Sequence, residues 1–448
     1  MNSEIDPLAI GEYEPNSSVA LTDDERWPGI APQHRERLDA VLQHPSAPPW
    51  VHRTGHRLDA AGIERAMAPL STDGWREQHL RVAAALPAYR GHSGPLEKLE
   101  AFPLVCRDDL AAGVAAFVPY DADLSRLIAG TSSGVTGNAL VIPDDIEDVA
   151  RTFWMLHRLL ESAGVQWRAE SDRLALAYVV KQRQVFTYAS SIPGFAGGVM
   201  ARVNLGAPEW SGRDDFLRDL DPQVYSGSPA SLAELLDPRL RERLHPIAIV
   251  SGATHLSAEL RHELEQAFGC PVVDIYGLHE TRPIAASTDG GPFVVLDTRV
   301  HVECLDPAGL PVAEGERGEL VVTVGANPLL PLVRYRTGDY GRLVTIGSRV
   351  AIADLEGRED VTFTGRDGAP LPSVDLTQQL QAGGARGWAV HQAADGSMTA
   401  AVVGGDAAQI GAALGRLLAR PVTVTTVPTL LDLGEGKPRR YESLAPGA

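Results

Sequence analysis

Between residues 125 and 280 the chain repeats one order of parts: a short apolar run, a polar or glycine-bearing turn, then an amphipathic stretch. SRLIAG (125–130) and RLALAYVV (173–180) read as buried strands, HPIAIVSGAT (245–254) as a strand leading into a turn and CPVVDIYGLHET (270–281) as a strand leading into a loop. DDIEDVARTFWMLHRLLESAG (144–164) carries acids in its first turn and ends at Gly164. LSAELRHELEQAFG (256–269) has helical spacing and closes at Gly269. Continuous apolar runs of strand length, alternating with capped helices, predict an α/β fold with a parallel sheet. Such a sheet binds ligands beyond the carboxyl ends of its strands.

The flanks read differently. Residues 1–50 are polar and Pro-rich, and a loosely ordered lead-in is expected there. From 58 to 118 apolar residues recur at helical spacing, and from 293 to 365 the runs are short and β-rich. After GRDGAPLPS (365–373) helix and strand signals alternate again. The expected division is therefore a large domain over 1–364, with a β-rich subdomain, and a small α+β domain over 365–448.

Charge and cysteine usage narrow the function. The 448 residues carry a formal charge of −18, the wrong sign for a phosphate-backbone binder, so no nucleic-acid partner is expected. Cys106, Cys270 and Cys304 show neither CxxC spacing nor an even count, which disfavours a disulfide framework and a zinc site. The first residues lack a basic segment and an apolar core, and no run of about 20 apolar residues occurs. A cytoplasmic protein with no membrane partner is the expectation. Lysine occurs only at 98, 181 and 437, so each one draws notice.

Four segments combine residue types that carry chemistry. Thr131-Ser132-Ser133-Gly134-Val135-Thr136-Gly137-Asn138 follows a strand; its glycines bring N–H groups close to a phosphate and its hydroxyls add donors. Asp274-Ile275-Tyr276-Gly277-Leu278-His279-Glu280-Thr281 ends a strand with a carboxylate suited to Mg2+ beside phosphate oxygens. Asp339, closing Tyr335-Arg336-Thr337-Gly338-Asp339, suits a ribose diol. Gly436-Lys437-Pro438-Arg439-Arg440 offers a cation to a developing negative charge. Each alone also has a plain reading: a polar loop, a solvated glutamate, a Gly-Asp hairpin turn, a basic tail.

In this order the four resemble the adenylate-forming superfamily of acyl-CoA ligases, adenylation domains and luciferases, with the phenylacetate–CoA ligase branch nearest. TSSGVTGN resembles its phosphate loop, SGAT (251–254) its adenine-lining turn, and DIYGLHE its DIYGLSE segment. RYRTGD (334–339) is similar to the ribose-binding segment, GRD (365–367) to the hinge, and GKPRR to the segment of the adenylating lysine. FPLVCRDDL (102–110) is similar to that branch's lead-in.

The resemblance implies that a carboxylic acid and ATP form an acyl adenylate with pyrophosphate release, the acyl group then passing to a nucleophile. ATP and Mg2+ are the implied cofactors. Lys437, Glu280 and Thr136 are the implied catalytic residues, with Glu280 also the metal ligand. Thr131, Ser132, Ser133, Gly134, Gly137, Gly252, Ala253, Thr254, Tyr276, Gly277, Asp339 and Arg366 are the implied nucleotide contacts. Lys181, Gln184, Phe186, Tyr188 and His279 are the candidates for a small, aromatic or polar acid; alternation puts Gln184, Phe186 and Tyr188 on one face. A homodimer is kept among the partner expectations.

Val135 and Asn138 depart from the phosphate loop's Ser/Thr and Lys, and the segment after Gly368 is shorter than in coenzyme A users. Coenzyme A is therefore one candidate acceptor beside an amine, a carrier protein or another nucleophile. An amide-forming ligase and a nitrite-activating diazotase acting on an aryl amine stand as alternatives. A non-catalytic nucleotide-binding homologue is the alternative from another class.

Overall fold

The structure is a computed structural model that describes residues 21–444 apart from 53, 72, 93, 97, 133–139, 182–186, 297–298, 358–361, 365–369 and 434–439. Its frame is a mixed sheet of twelve strands. Five run parallel in the order Val199–Asn204, Leu176–Val180, Val224–Gly227, Ala248–Gly252 and Val272–Leu278. At one end Tyr188–Ser191 adds antiparallel to Val199–Asn204. At the other, Val272–Leu278 turns back on Arg282–Ser287, and the β-rich stretch continues the same sheet through Phe293–Val295, Arg349–Glu356, Leu332–Ile346, Arg317–Val324 and Val300–Leu305. The expected α/β class holds, with its β-rich part joined edge to edge to the parallel part.

Alternation sorts the parallel strands onto two cores. Ala177, Val179, Ala201, Val203 and Ile249 pack with Trp27, Leu38, Leu260 and Leu264. Leu176, Val224, Val250 and Val273 pack on the opposite face with Phe153, Leu156 and Leu160 of the helix Ile146–Ser162. That helix starts where its sequence says it should: Asp145 accepts from the N–H groups of Glu147 and Asp148 at 2.7 and 3.2 Å, a charged N-cap at the positive end of the dipole. Helix Ala258–Phe268 ends on Gly269 at φ 63°, the left-handed cap expected of a glycine.

Two expectations are corrected. Residues 21–50 are not a loose lead-in: they include helices Asp23–Arg26 and Pro32–Leu42. Trp27 is 1% exposed and donates its indole N–H to Ser190 at 2.9 Å. A polar, Pro-rich composition hid three well-spaced apolar anchors, Trp27, Leu38 and Val41, each covering the main sheet. The strand read at 125–130 is Leu127–Ser132, half-buried up to Ile128, and it pairs antiparallel with Leu140–Asp145 in a two-stranded sheet of its own.

The C-terminal residues build a separate core. Strands Val422–Thr426, Met398–Val403, Gly387–Gln392 and Tyr441–Ser443 form a four-stranded sheet. Helices Ser373–Ala382 and Ala407–Leu418 contribute Leu376, Leu380, Ile410 and Leu414 to its core, which also takes in Phe363.

Candidate active site

The two carboxylates singled out from separate motifs meet at the carboxyl end of the parallel strands, and each is held by a tyrosine of the other motif. The Tyr335 hydroxyl donates to Glu280 Oε1 at 2.6 Å, and the Tyr276 hydroxyl donates to Asp339 Oδ2 at 2.9 Å. Both carboxylates are 5% exposed. Burial, with the neighbouring carboxylates, pushes both phenols up from their ordinary range, so both are protonated donors at neutral pH. A hydrogen bond to a buried ionised group is worth roughly 1.5–3 kcal/mol, enough to hold each carboxylate in one orientation.

Local backbone geometry makes this crossing. The hairpin Val272–Leu278/Arg282–Ser287 slips register between Tyr276 and Gly277. A Cβ on Gly277 would lie 2.4 Å from the Arg282 carbonyl oxygen, so only glycine fits there. In strand Leu332–Ile346, Gly338 sits at φ 73°; the Asp339 N–H donates to Thr337 Oγ1 at 3.0 Å, and that hydroxyl donates to Leu320 O at 2.7 Å. The segment is thus an irregular strand rather than a Gly-Asp hairpin turn, and the irregularity re-aims Asp339 toward Tyr276.

Gly252, Ala253 and Thr254 form a tight turn at the end of strand Ala248–Gly252. Thr254 N–H donates to Gly252 O at 2.8 Å, and Ala253 takes φ 68°, a left-handed conformation that costs an alanine about 1–2 kcal/mol. Next in sequence, His255 packs edge-on to Trp388 of the C-terminal sheet, with ring centroids 5.5 Å apart. Burial, with Arg440 nearby, holds the His255 imidazole well below its ordinary range. Trp388 donates its indole N–H to Tyr441 Oη at 2.8 Å, and Arg440 lies over both rings. Thr377 joins Tyr441 at 2.5 Å and donates to Glu356 of the main sheet at 2.8 Å. Arg386 pairs with Glu263 at 3.1 Å. The chain's C-terminal unit is thereby docked beside the turn read as adenine-lining.

The remaining candidates divide. Thr131 and Ser132 end strand Leu127–Ser132. Ser133, Gly134, Thr136, Gly137, Gln184, Phe186, Arg366 and Lys437 lie outside the described residues. Lys181 is engaged by Glu234 at 2.6 Å, the partner a lysine beside a buried strand requires. Tyr188 is half-buried in strand Tyr188–Ser191. His279 faces Asp144 Oδ2 at 3.4 Å.

Sequence reasoning missed the surroundings of Asp144. Arg282, at φ 62°, bridges Asp144 at 2.6 Å and Asp148 at 3.6 Å, and Arg151 stands 3.8 Å from Asp148. Burial pushes the Asp148 carboxyl up to about 6 against the pull of these arginines. The run Pro-Asp-Asp-Ile-Glu-Asp (143–148) was the available signal, since so many acids at one helix start need cations. The tyrosines of the two motifs were the signal for the crossed pairs.

A magnesium ion fits the chemistry of one donor here. Glu280 is a buried carboxylate that one phenol orients, which leaves acceptor capacity for a hard cation shared with phosphate oxygens. Among the described residues no cluster of three or more His, Cys, Asp or Glu forms a ready-made metal cage. No described helix is long and apolar enough to cross a membrane.

Comparison with known proteins places these features. The AMP-binding enzyme family matches residues 176–327, which include the turn at 252–254 and Glu280. Phenylacetate-coenzyme A ligase of Pseudomonas putida is 28% identical over 287 residues, covering 59% of this chain and 62% of that protein. The ligase of the same name from Escherichia coli (strain K12) is 27% identical with the same shares. This chain therefore spans about three fifths of the length of the curated relatives it matches. Among solved structures, 2-hydroxyisobutyryl-CoA ligase in the postadenylation state with R3-HIB-AMP gives a TM-score of 0.62 at 18% identity, covering 86% of this chain and 89% of that one. The same ligase with 2-HIB-AMP and CoA in the thioesterification state gives 0.51 at 19% identity, with 87% and 90% covered. At such identities the likeness is one of fold.

Proposed function

We propose that this chain, which belongs to the adenylate-forming superfamily, is an ATP-dependent ligase that activates a small, aromatic carboxylic acid as its acyl adenylate and passes it to a thiol or an amine. The observation that carries this reading is the crossed pair: Tyr335 on Glu280 and Tyr276 on Asp339. Two motifs far apart in sequence supply, at one end of one sheet, the carboxylate suited to a metal and the carboxylate suited to a ribose. The adenine-lining role is assigned to Gly252, Ala253 and Thr254.

The chain's own residues then act mostly by position and charge. Asp339 accepts from the ribose diol, exchanging its bond to Tyr276 for one to the nucleotide. Glu280, oriented by Tyr335, would hold Mg2+, which would supply charge neutralisation on the phosphates. The acid's carboxylate oxygen attacks the α-phosphorus and pyrophosphate leaves. Lys437 stabilises the charge gathered on the transferring group, as a preorganised cation does, and Thr136 adds a donor from the phosphate loop. The lysine-bearing unit is taken as a separate domain from about residue 365; the C-terminal core supports a separate unit but also takes in Phe363 from before that division. The reading takes the protein to be cytoplasmic and free of nucleic-acid partners.

The test is pyrophosphate release from Mg·ATP over a panel of aromatic and short polar acids, with hydroxylamine to trap the adenylate as a hydroxamate. Release with trapping is expected for at least one acid, and coenzyme A or an amine then competes with the trap. Release only with nitrite and an aryl amine would replace this reading by the diazotase. ATP binding without release under any condition would leave the nucleotide-binding homologue.

A further inference from the structure

Glu280 is the middle residue of the turn between strands Val272–Leu278 and Arg282–Ser287, and one carboxylate from elsewhere in the fold holds both flanks of that turn. His279, just before Glu280, places Nε2 3.4 Å from Asp144 Oδ2. Arg282, just after the turn, places Nη2 2.6 Å from Asp144 Oδ1. Asp144 is itself buried, at 4% exposure. It lies near the end of strand Leu140–Asp145, which follows the segment read as the phosphate loop.

Asp144 is anchored independently of these two partners. Asn327, also buried, donates to the Pro143 carbonyl oxygen at 2.8 Å and ties the end of the strand to the main domain. Asp145 caps helix Ile146–Ser162 and pairs with Arg126 at 2.6 Å. The turn is less secure by itself. Leu278 N–H donates to Thr281 Oγ1 at 3.1 Å, and that hydroxyl donates to the Arg282 carbonyl oxygen at 3.1 Å. Arg282 takes φ 62°, a left-handed conformation that persists at a residue with a side chain only where its surroundings over-determine it. Those surroundings are the Gly277 backbone beneath the Arg282 carbonyl and the carboxylates of Asp144 and Asp148.

These contacts act on the frame of the turn, whereas Tyr335 orients the Glu280 carboxylate within it. Placement of the frame matters for a hard cation, because Mg2+ demands near-ideal octahedral geometry with ligands at about 2.0–2.1 Å. Groups that orient a metal ligand without touching the metal change its affinity by about 10–100-fold. We propose that Asp144 is a positioning residue for Glu280: through His279 and Arg282 it fixes the metal-binding turn against the strand that leaves the phosphate segment. The inference rests on the ligase reading's assignment of Mg2+ to Glu280 and adds the residue that sets its place. The competing role is structural, with Asp144 only securing the start of helix Ile146–Ser162 beside Asp148 and Arg151. That role weakens ATP binding with and without metal alike, whereas positioning weakens only the part that Mg2+ contributes.

Calorimetry of ATP binding to the intact chain, without any acid and in either Mg2+ or a chelator, separates the two. Asp144→Asn keeps the shape and removes the charge, and Asp148 remains as an ionic partner for Arg282. The gain in ATP affinity on adding Mg2+ is expected to fall by about fivefold or more in Asp144→Asn, with affinity in chelator within about twofold of the parent. In a Glu280→Gln background the same change is expected to add less than about twofold, because a residue that acts through another has little left to act on. Arg282→Lys keeps the charge and loses the fork, and is expected to lower the Mg2+ gain about threefold, so the test survives poor folding of the Asp144 variant. An unchanged Mg2+ gain in both variants, equal losses with and without Mg2+, or an undiminished effect in the Glu280→Gln background overturns the inference and leaves the ligase reading standing. A Mg2+ gain that survives Glu280→Gln in full overturns the metal assignment itself, and the inference with it.

Discussion

Tyr335 and Glu280 are 55 residues apart in sequence and their oxygens are 2.6 Å apart in the fold, the shortest link between the two segments on which the nucleotide reading rests. Removing the hydroxyl isolates the positioning effect. Tyr335→Phe keeps the ring in the apolar cluster of Tyr89, Phe102 and Leu320, so the loss of stability is expected to be confined to the hydrogen bond, roughly 1.5–3 kcal/mol. The apparent Mg2+ requirement of ATP–pyrophosphate exchange is expected to rise several-fold, with weaker Mg·ATP binding by calorimetry. An unchanged Mg2+ dependence would separate the phenol from the metal carboxylate.

Asp339 is the nucleotide contact most open to a direct test. Asp339→Ala is expected to weaken ATP binding by roughly 2 kcal/mol, about thirtyfold, because a buried charged acceptor for the ribose diol is lost. Tyr276→Phe removes only the donor that holds Asp339 in the free protein, and a smaller change is expected. Calorimetry that finds Asp339→Ala binding ATP as tightly as the parent would remove the ribose assignment.

Two described contacts join the C-terminal unit to the main domain near the adenine turn. The Arg386–Glu263 pair is part-exposed and by itself worth at most about 1 kcal/mol, while the His255–Trp388 ring contact is buried. The double variant Arg386→Glu, His255→Ala sets two carboxylates against each other and removes the ring contact. Small-angle scattering is expected to show a larger radius of gyration, and pyrophosphate exchange is expected to drop at least tenfold. A parental scattering profile would show that these contacts do not set the docked arrangement.

Stability should respond to pH through Asp274, 7% exposed, whose carboxyl burial pushes up to about 6 from 3.8. A carboxyl raised in the folded state binds its proton more tightly there than in the unfolded chain. Its contribution is fully present below pH 3.8 and is lost as pH rises through 6. The span is about 2 pKa units, or at most roughly 3 kcal/mol. Asp274→Asn is therefore expected to gain stability relative to the parent between pH 4.5 and 7.5, read as urea midpoints. Parallel midpoint curves for the two proteins would contradict the shift.

The fold was legible wherever local signals agreed. The Asp145 cap, the Gly269 stop and the apolar strand runs all specify the parallel region, and each is in place. Residues 21–50 were not legible, because their stability comes from tertiary burial of Trp27 and Leu38 rather than from any local periodicity. The candidate site was legible as motifs but not as geometry. Glu280 and Asp339 stood out by residue type, whereas their tyrosine partners lie across a sheet, and register slips at Tyr276/Gly277 and in Leu332–Ile346 bring them together.

The decisive measurement is ATP–pyrophosphate exchange driven by the best acid of the panel, in the parent and in Lys437→Ala, with ATP affinity measured alongside. Acid-dependent exchange in the parent, reduced by a hundredfold or more in Lys437→Ala while ATP still binds, is the expected result, in line with loss of a transition-state cation. Exchange at the parental rate in Lys437→Ala would contradict the assignment of adenylation to this lysine, and absence of acid-dependent exchange in the parent would contradict adenylate formation itself.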